Sequence, residues 1–231
     1  PSCEEEGIVD LPDGTLLSPT LRLHAGASVV GPLLTRLISK RRLTEADLTI
    51  GIDVTIQKAM DAVGAEVIIL YRVVGEQVRF ERVHYTPSLH EGDPVAHACY
   101  LERAEELRRT TLAWGQGLVG KVITEGVSHL APDARKDPHS HPVVDKRTGF
   151  RTRSGLTVPL SAGGSTLGAI QVLNKTSGNG RFTEEDRLLL EEVAGYSAAF
   201  MARVLDPERE TDDEVVADYV ARLGGYPFLT A

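Results

Sequence analysis

The stretch Leu156-Thr157-Val158-Pro159-Leu160-Ser161-Ala162-Gly163-Gly164-Ser165-Thr166-Leu167-Gly168-Ala169-Ile170-Gln171-Val172-Leu173-Asn174-Lys175 decides the fold class. Leu156, Val158 and Leu160 alternate with other residues, Gly163-Gly164 supplies a tight turn, and Thr166 to Leu173 returns as a second strand. Strands joined by two residues can only be antiparallel, because a parallel pair needs a long crossover. Upstream the same pattern recurs. Glu66 to Val74 is rich in β-branched residues, Gly75-Glu76 turns, and Val78, Phe80, then Val83 and Tyr85 give a partner strand with one slip in its alternation.

Helical spacing fills the rest. Thr44, with Asp47 three residues on, caps a segment in which Leu48, Ile52, Ile56, Ala59, Met60 and Val63 share a face up to Gly64. Leu48, Ile50, Ile52, Val54 and Ile56 also alternate as a strand would, but the apolar face running on to Val63 favours a helix. Pro94 to Arg109 places Val95, Ala98, Leu101, Ala104 and Leu107 on one face and charged residues on the other. Gly115-Gln116-Gly117 leads into a short helix over Leu118 to Thr124, then a brief strand around Val127 to Leu130, and then a long polar segment, Pro132 to Arg153. Thr183, with Asp186 three residues on, caps a last helix whose apolar surface (Leu189, Leu190, Val193, Ala194, Ala198, Phe200, Met201, Val204, Leu205) is broad enough to leave area for a partner. Helix, two strands, helix, strand, irregular segment, two strands, helix is not the alternation of a parallel α/β fold. The expectation is an α+β fold with a single antiparallel sheet and helices packed on its faces.

The organisation expected is a poorly structured arm over 1–31, a domain over 32–205 opened by a helix from Pro32 to Arg42, and an acidic linker with a short helix over 206–231. Because the chain begins with Pro1 rather than methionine, it reads as part of a larger protein.

The 231 residues carry 42% hydrophobic side chains, enough for a real core, and 33 acidic against 25 basic residues give a net charge of −8. That balance argues against nucleic acid as a partner. Two cysteines make no disulfide framework, no apolar run is long enough to span a bilayer, and no signal peptide opens the chain, so a cytoplasmic location away from the membrane is expected. No phosphate-binding loop, dinucleotide fingerprint, zinc spacing or nucleophile elbow appears, and the expectation is a protein that is not an enzyme and holds no cofactor. His129, His139 and His141 lack an evident further ligand, so no metal site is assigned.

Beginning at Gln116, Gly117-Leu118-Val119-Gly120-Lys121-Val122, Gly126, Asp133-Ala134, Asp137-Pro138, Val144 to Arg153 with its Thr148-Gly149-Phe150-Arg151-Thr152-Arg153 run, and Pro159-Leu160 together resemble the GAF domains of cyclic-nucleotide phosphodiesterases. Asn174, Lys175, Phe182 and Asp186 supply four of the five letters of the family's NKFDE signature, with Arg187 in place of the final acid. A weaker match runs from Thr44 to Tyr85.

The resemblance implies a GAF-like, PAS-related architecture whose ligand lies between the sheet and its covering helices and loops. It implies a regulatory sensor that binds a small molecule, cAMP or cGMP, homodimerises through its terminal helices and signals to an attached effector. By position, Gly117, Leu118 and Val119 would offer backbone N–H groups to a cyclic phosphate. Asp145, Thr148 and Thr152 would contact the nucleotide. Gln171 would read a base edge or a phosphate oxygen, according to its orientation. Lys175 and Asp186 would form a structural ion pair.

The alternative reading is a dimerisation or scaffolding domain without ligand. The ending Gly224-Gly225-Tyr226-Pro227-Phe228-Leu229, after an amphipathic stretch from Val215 to Leu223, resembles the opening of the N-terminal domain in secretion and pilus-assembly ATPases. Cys99 lacks the second cysteine of GAF-like methionine sulfoxide reductases and the following histidine of bilin-binding domains, and is expected to be a buried structural residue.

Overall fold

The computed structural model describes residues 43–89, 92–139 and 150–206, together with the backbone of 9–10 and 16–17. Asp145 and Thr148, the helix expected over Pro32 to Arg42 and the tail from Pro207 lie outside the described residues. In the N-terminal arm, expected to be poorly structured, β1 (Val9–Asp10) pairs antiparallel with β2 (Leu16–Leu17).

The domain is built from α1 (Glu45–Val63), β3 (Ala65–Val74), β4 (Gln77–Tyr85), α2 (Pro94–Arg108), β5 (Thr111–Ala113), α3 (Gly117–Glu125), β6 (His129–Ala131), β7 (Gly155–Ala162), β8 (Ser165–Lys175) and α4 (Glu184–Leu205). Its single sheet has the order β5-β4-β3-β8-β7-β6, every neighbour antiparallel. Both hairpins form as their turns dictate. The slip in the first is a bulge, since Leu70 pairs with Arg82 and Tyr71 with Phe80, leaving Glu81 as the extra residue. Glu81 accepts a hydrogen bond from Nε of Arg72 at 2.8 Å.

The alternating strands divide the core in two. On one face Ile68, Leu70, Leu156, Val158, Leu160, Ile170 and Val172 pack against Leu48, Ile52 and Ile56 of α1 and Leu190, Ala194, Phe200 and Met201 of α4. Both helices start with the expected capping boxes, Thr44 with Asp47 and Thr183 with Asp186. The continuing face settles α1 as a helix. On the opposite face Val67, Ile69, Tyr71, Phe80, Tyr85, Ala169 and Leu173 pack against α2 and α3. The hydrogen bonding between β3 and β8 joins the two hairpins, and Gly168 makes it close, because a Cβ there would stand 2.0 Å from the Tyr71 carbonyl oxygen.

Several expectations are corrected. The face expected of α2 is buried only at Ala104 and Leu107, whereas Val95 is 79% and Leu101 58% exposed. The helix meets the sheet through its second half, so its first turns have no strand beneath them. The strand expected from Val127 starts at His129, leaving Val127 exposed, and Thr111–Ala113 adds an edge strand beside β4. On α4, Leu188, Leu189 and Leu205 remain exposed. Cys99 is a free thiol that is only partly buried, because it lies in the projecting half of α2. No helix among the described residues is long and apolar enough to cross a membrane.

Candidate functional site

Within β8, an inner strand, every residue from Gly168 to Asn174 is buried except Gln171, which retains partial exposure. It points to the α2–α3 side, as do Ala169 and Leu173 two residues away on either hand. The layer above it therefore leaves Gln171 partly open to solvent at the centre of the sheet.

Register places Gln171 in a row that crosses four strands, since Ile69 pairs with Gln171, Gln171 with Thr157, and Thr157 with His129. Directly paired residues point to the same face, so the row forms the floor of this partly open position. Its polar members are bonded to each other and to a neighbour. The Tyr71 hydroxyl donates to Oε1 of Gln171 at 3.0 Å, and Nε2 of Gln171 donates to the Thr157 hydroxyl at 3.1 Å. Burial, with Tyr85 adding to it, pushes the Tyr71 phenol far up, so Tyr71 keeps the proton it donates. These bonds fix the amide orientation that the sequence leaves open, and one N–H of Gln171 is left over for a further acceptor. Tyr71 and Thr157 escape a sequence reading because each lies in an ordinary β-rich run.

Helix α3 packs beside this row, with Val119, Val122 and Ile123 buried in the same core. Gln116 at its N-cap makes no side-chain cap and instead accepts the N–H of Ala113 at 3.0 Å. The first N–H groups of the helix, at Gly117, Leu118 and Val119, thus have no capping side chain. Gly120 is required here, because a Cβ would stand 2.4 Å from the Gly115 carbonyl carbon. The structure thus brings the α3 start and Gln171 onto one face of the sheet.

Thr152 lies where the chain returns to the sheet, near the end of β8 and about 10 Å along the strand from Gln171. Asn174 organises that return. Its Oδ1 accepts the backbone N–H of Arg153 at 2.6 Å and of Ser154 at 3.3 Å, and its Nδ2 donates to Glu66 at 2.8 Å and to the Arg151 carbonyl at 2.9 Å. Glu66 also pairs with Arg153 at 2.6 Å. Tyr85, Tyr100 of α2 and Phe150 bring their rings together close by, with the Tyr100 and Phe150 centroids 4.7 and 6.2 Å from that of Tyr85.

The remaining signature residues are structural. Lys175 Nζ lies 2.7 and 2.5 Å from the two carboxylate oxygens of Asp186, and Phe182 is buried under α4. Arg187 pairs with Glu184 and, at 2.6 Å, with Glu191, which also accepts the Ser128 hydroxyl at 2.5 Å. The departure from the signature is thus absorbed at the surface of α4.

On the β6 side His129, Asp137, His139 and Lys121 form a cluster. Nε2 of His129 lies 2.5 Å from Asp137, and Nε2 of His139 lies 3.0 Å from Lys121 Nζ. Among the described residues, no group of three or more histidine, cysteine or acidic side chains is placed to hold a metal ion.

These features define an α+β module with two helices on one face of its sheet and a partly open polar site on the other. The chain belongs to the GAF domain family, whose model matches residues 45–202. It is 37% identical over 79 residues to the dual 3',5'-cyclic-AMP and -GMP phosphodiesterase 11A of Takifugu rubripes, a match covering 34% of this chain and 9% of that protein. The corresponding phosphodiesterase 11 of Drosophila melanogaster is 34% identical over 79 residues, covering 34% of this chain and 5% of its own length. The chain thus matches only a small part of these relatives.

Among solved structures, the GAF domain/HD domain protein of Geobacter sulfurreducens superposes with a TM-score of 0.55 at 14% identity, over 69% of this chain and 94% of that one. The GAF domain of a phosphoenolpyruvate-protein phosphotransferase from Coxiella burnetii gives 0.54 at 17% identity, over 78% and 97%. At these identities the likeness is one of fold.

Proposed function

We propose that this chain is a non-catalytic regulatory domain that binds a cyclic nucleotide, cAMP or cGMP, and passes its occupancy to an attached effector in the cytoplasm. The observation that carries the reading is the partial exposure of Gln171, where an inner strand presents a pre-oriented amide beside a helix start. A cyclic phosphate carries one negative charge, which suits the uncapped N–H groups of Gly117, Leu118 and Val119. Gln171 then meets the base edge, and the family resemblance carries Asp145, Thr148 and Thr152 as further nucleotide contacts. The relatives named for cyclic AMP and cyclic GMP support this ligand class. Signalling requires that the nucleotide bind one conformation of the domain better than another.

The test is thermal unfolding with and without cAMP, cGMP and a wider nucleotide panel, after mass spectrometry of a denatured sample for a copurified ligand. A nucleotide at about 100 times its dissociation constant stabilises the fold by about 2.7 kcal/mol. Asp145→Ala and Thr148→Ala should each cost about 1 to 3 kcal/mol of binding by calorimetry. No thermal shift and no copurified ligand would sink the reading. The exposed Leu188, Leu189 and Leu205 of α4 favour a second reading, a dimerising scaffold without ligand, which a solution mass measurement tests.

A further inference from the structure

Arginines at the third and second positions before a threonine occur in Arg41-Arg42-Leu43-Thr44 and again in Arg108-Arg109-Thr110-Thr111. The two threonines stand in different chemistry. Thr44 is the N-cap of α1, and its hydroxyl donates to Asp47 Oδ2 at 2.7 Å. Thr110 is likewise engaged, since its hydroxyl donates to the Leu107 carbonyl at 2.7 Å where α2 ends. Thr111 opens β5, an edge strand. It is exposed, and its hydroxyl makes no hydrogen bond among the described residues.

Strand register determines what surrounds that hydroxyl. Leu112 packs into the core shared with α2 and α3, so Thr111 faces the other side of the sheet. It pairs with Arg79, and Arg79 pairs with Arg72, which sets all three in a row on that face. Arg72 is taken up by Glu81 at 2.8 Å. Nearby, Arg82 is held by Asp53 and Arg108 by Glu105, each at 2.7 Å. Arg79 and Arg109 are exposed and make no ion pair among the described residues. The Cβ atoms of residues paired as Thr111 and Arg79 are lie about 5 Å apart, well within the reach of a guanidinium.

We infer that Thr111 is a phosphorylation site for a protein kinase that reads basic residues, and that Arg79 receives the phosphate. Arg108 and Arg109 are exposed at the end of α2, where they can pair with carboxylates lining the kinase cleft. β5 is held to β4 through only three residue pairs, so it can peel away to enter that cleft. There the Thr111 hydroxyl oxygen attacks the terminal phosphorus of a nucleoside triphosphate. The bond from that phosphorus to the bridging oxygen breaks, the diphosphate leaves, and the hydroxyl proton passes to the base of the kinase. Once the strand pairs again, the phosphate brings a charge of about −1.5 to −2 against Arg79 and binds it through charge-assisted hydrogen bonds. β5 is then fastened to β4 by side chains as well as by backbone. Gln116, bonded to the Ala113 N–H, carries that fastening to the start of α3.

The first arm of the test incubates the full chain with magnesium ATP and the catalytic subunit of cyclic-AMP-dependent protein kinase, which accepts arginine at both of those positions. Mass spectrometry of peptides then maps the site. Thr111 should take up a phosphoryl group and Thr44 should not, and Arg109→Gln should slow the modification by roughly tenfold or more. Phosphate on Thr44 in place of Thr111, no phosphate on either, or an unchanged rate in Arg109→Gln overturns the site. Thr111→Val should keep the thermal midpoint of the wild type, and labelling of that variant to the wild-type extent would overturn the site as well.

The second arm compares backbone hydrogen exchange in the phosphorylated and unphosphorylated chains. Exchange in β5 should slow by roughly tenfold on phosphorylation. Arg79→Gln should be phosphorylated as readily as the wild type, because the kinase reads Arg108 and Arg109, yet its β5 should gain no protection. Equal slowing in Arg79→Gln, or no slowing in the wild type, overturns capture of the phosphate by Arg79.

Discussion

Asn174 and Arg153 are joined through a 2.6 Å bond from the Arg153 backbone N–H to the Asn174 side-chain oxygen, made by a buried asparagine whose own φ is +56°. An unfavourable backbone conformation is held here by four hydrogen bonds from one amide. Asn174→Ala should lose those bonds and keep the strain, at a cost of about 3 kcal/mol in chemical denaturation. Asn174→Gly should lose less, because glycine accepts a positive φ freely. Equal losses would mean that the backbone conformation stores no strain.

Gly120→Ala should destabilise the fold by about 2 kcal/mol, because the new methyl would meet Gly115 backbone rather than a yielding side chain. Gly51→Ala offers a contrast. Its nearest neighbour is the Phe200 ring, at 2.1 Å from the ideal Cβ. There the α1–α4 contact must part, so hydrogen exchange should rise in those two helices, whereas Gly120→Ala should loosen α3.

Asp186 is drawn upward by burial, but the ammonium of Lys175 and the N–H and hydroxyl of Thr183 outweigh that and leave its carboxyl below the ordinary range. A depressed native value stabilises the fold above the unfolded carboxyl's pKa of about 3.9, and the benefit is lost as pH falls through the native value. Asp186→Asn should therefore cost about 2 kcal/mol at pH 7. The gap to the wild type should begin to narrow below about pH 4 and close below the native value, and urea titrations from pH 7 to 2 would follow it. A gap that stays constant would mean that the loss does not depend on the charge of the Asp186 carboxylate.

Tyr71→Phe removes one donor from Gln171 and should cost about 1 kcal/mol of stability. Its larger effect should be on ligand affinity, since the amide loses the partner that sets its orientation. Gln171→Leu should abolish base recognition while preserving the fold. Calorimetry beside thermal unfolding separates the two effects, and undiminished nucleotide affinity in both variants would remove Gln171 from the site.

Local chemistry made the hairpins, the two capping boxes and the bulge legible, because each depends on residues a few positions apart, whereas the Lys175–Asp186 pair was legible through the family resemblance. The pairing of β3 with β8 was not legible, since register between distant strands is decided by packing rather than by turn chemistry. The same limit explains α2, where helical spacing alone cannot tell which turns have a sheet beneath them. At the candidate site, the family resemblance singled out Gln171 and the start of α3, and the structure brings them onto one face of the sheet. Tyr71, Thr157 and Glu66 were not singled out, because their roles come from bonds across strands and turns that the linear order conceals.

Ile170 and Gln171 are consecutive residues of β8, yet one packs against α1 and α4 while the other is partly open to solvent on the opposite face. The strand is therefore a wall one residue thick between two compartments. Its backbone is bonded to β3 and β7 on both sides, so it moves as a stiff unit. Any displacement of that backbone at Gln171 must carry Ile170 with it and change the seat of the helices behind. Under the function proposed above, ligand contact and helix packing are a single peptide bond apart.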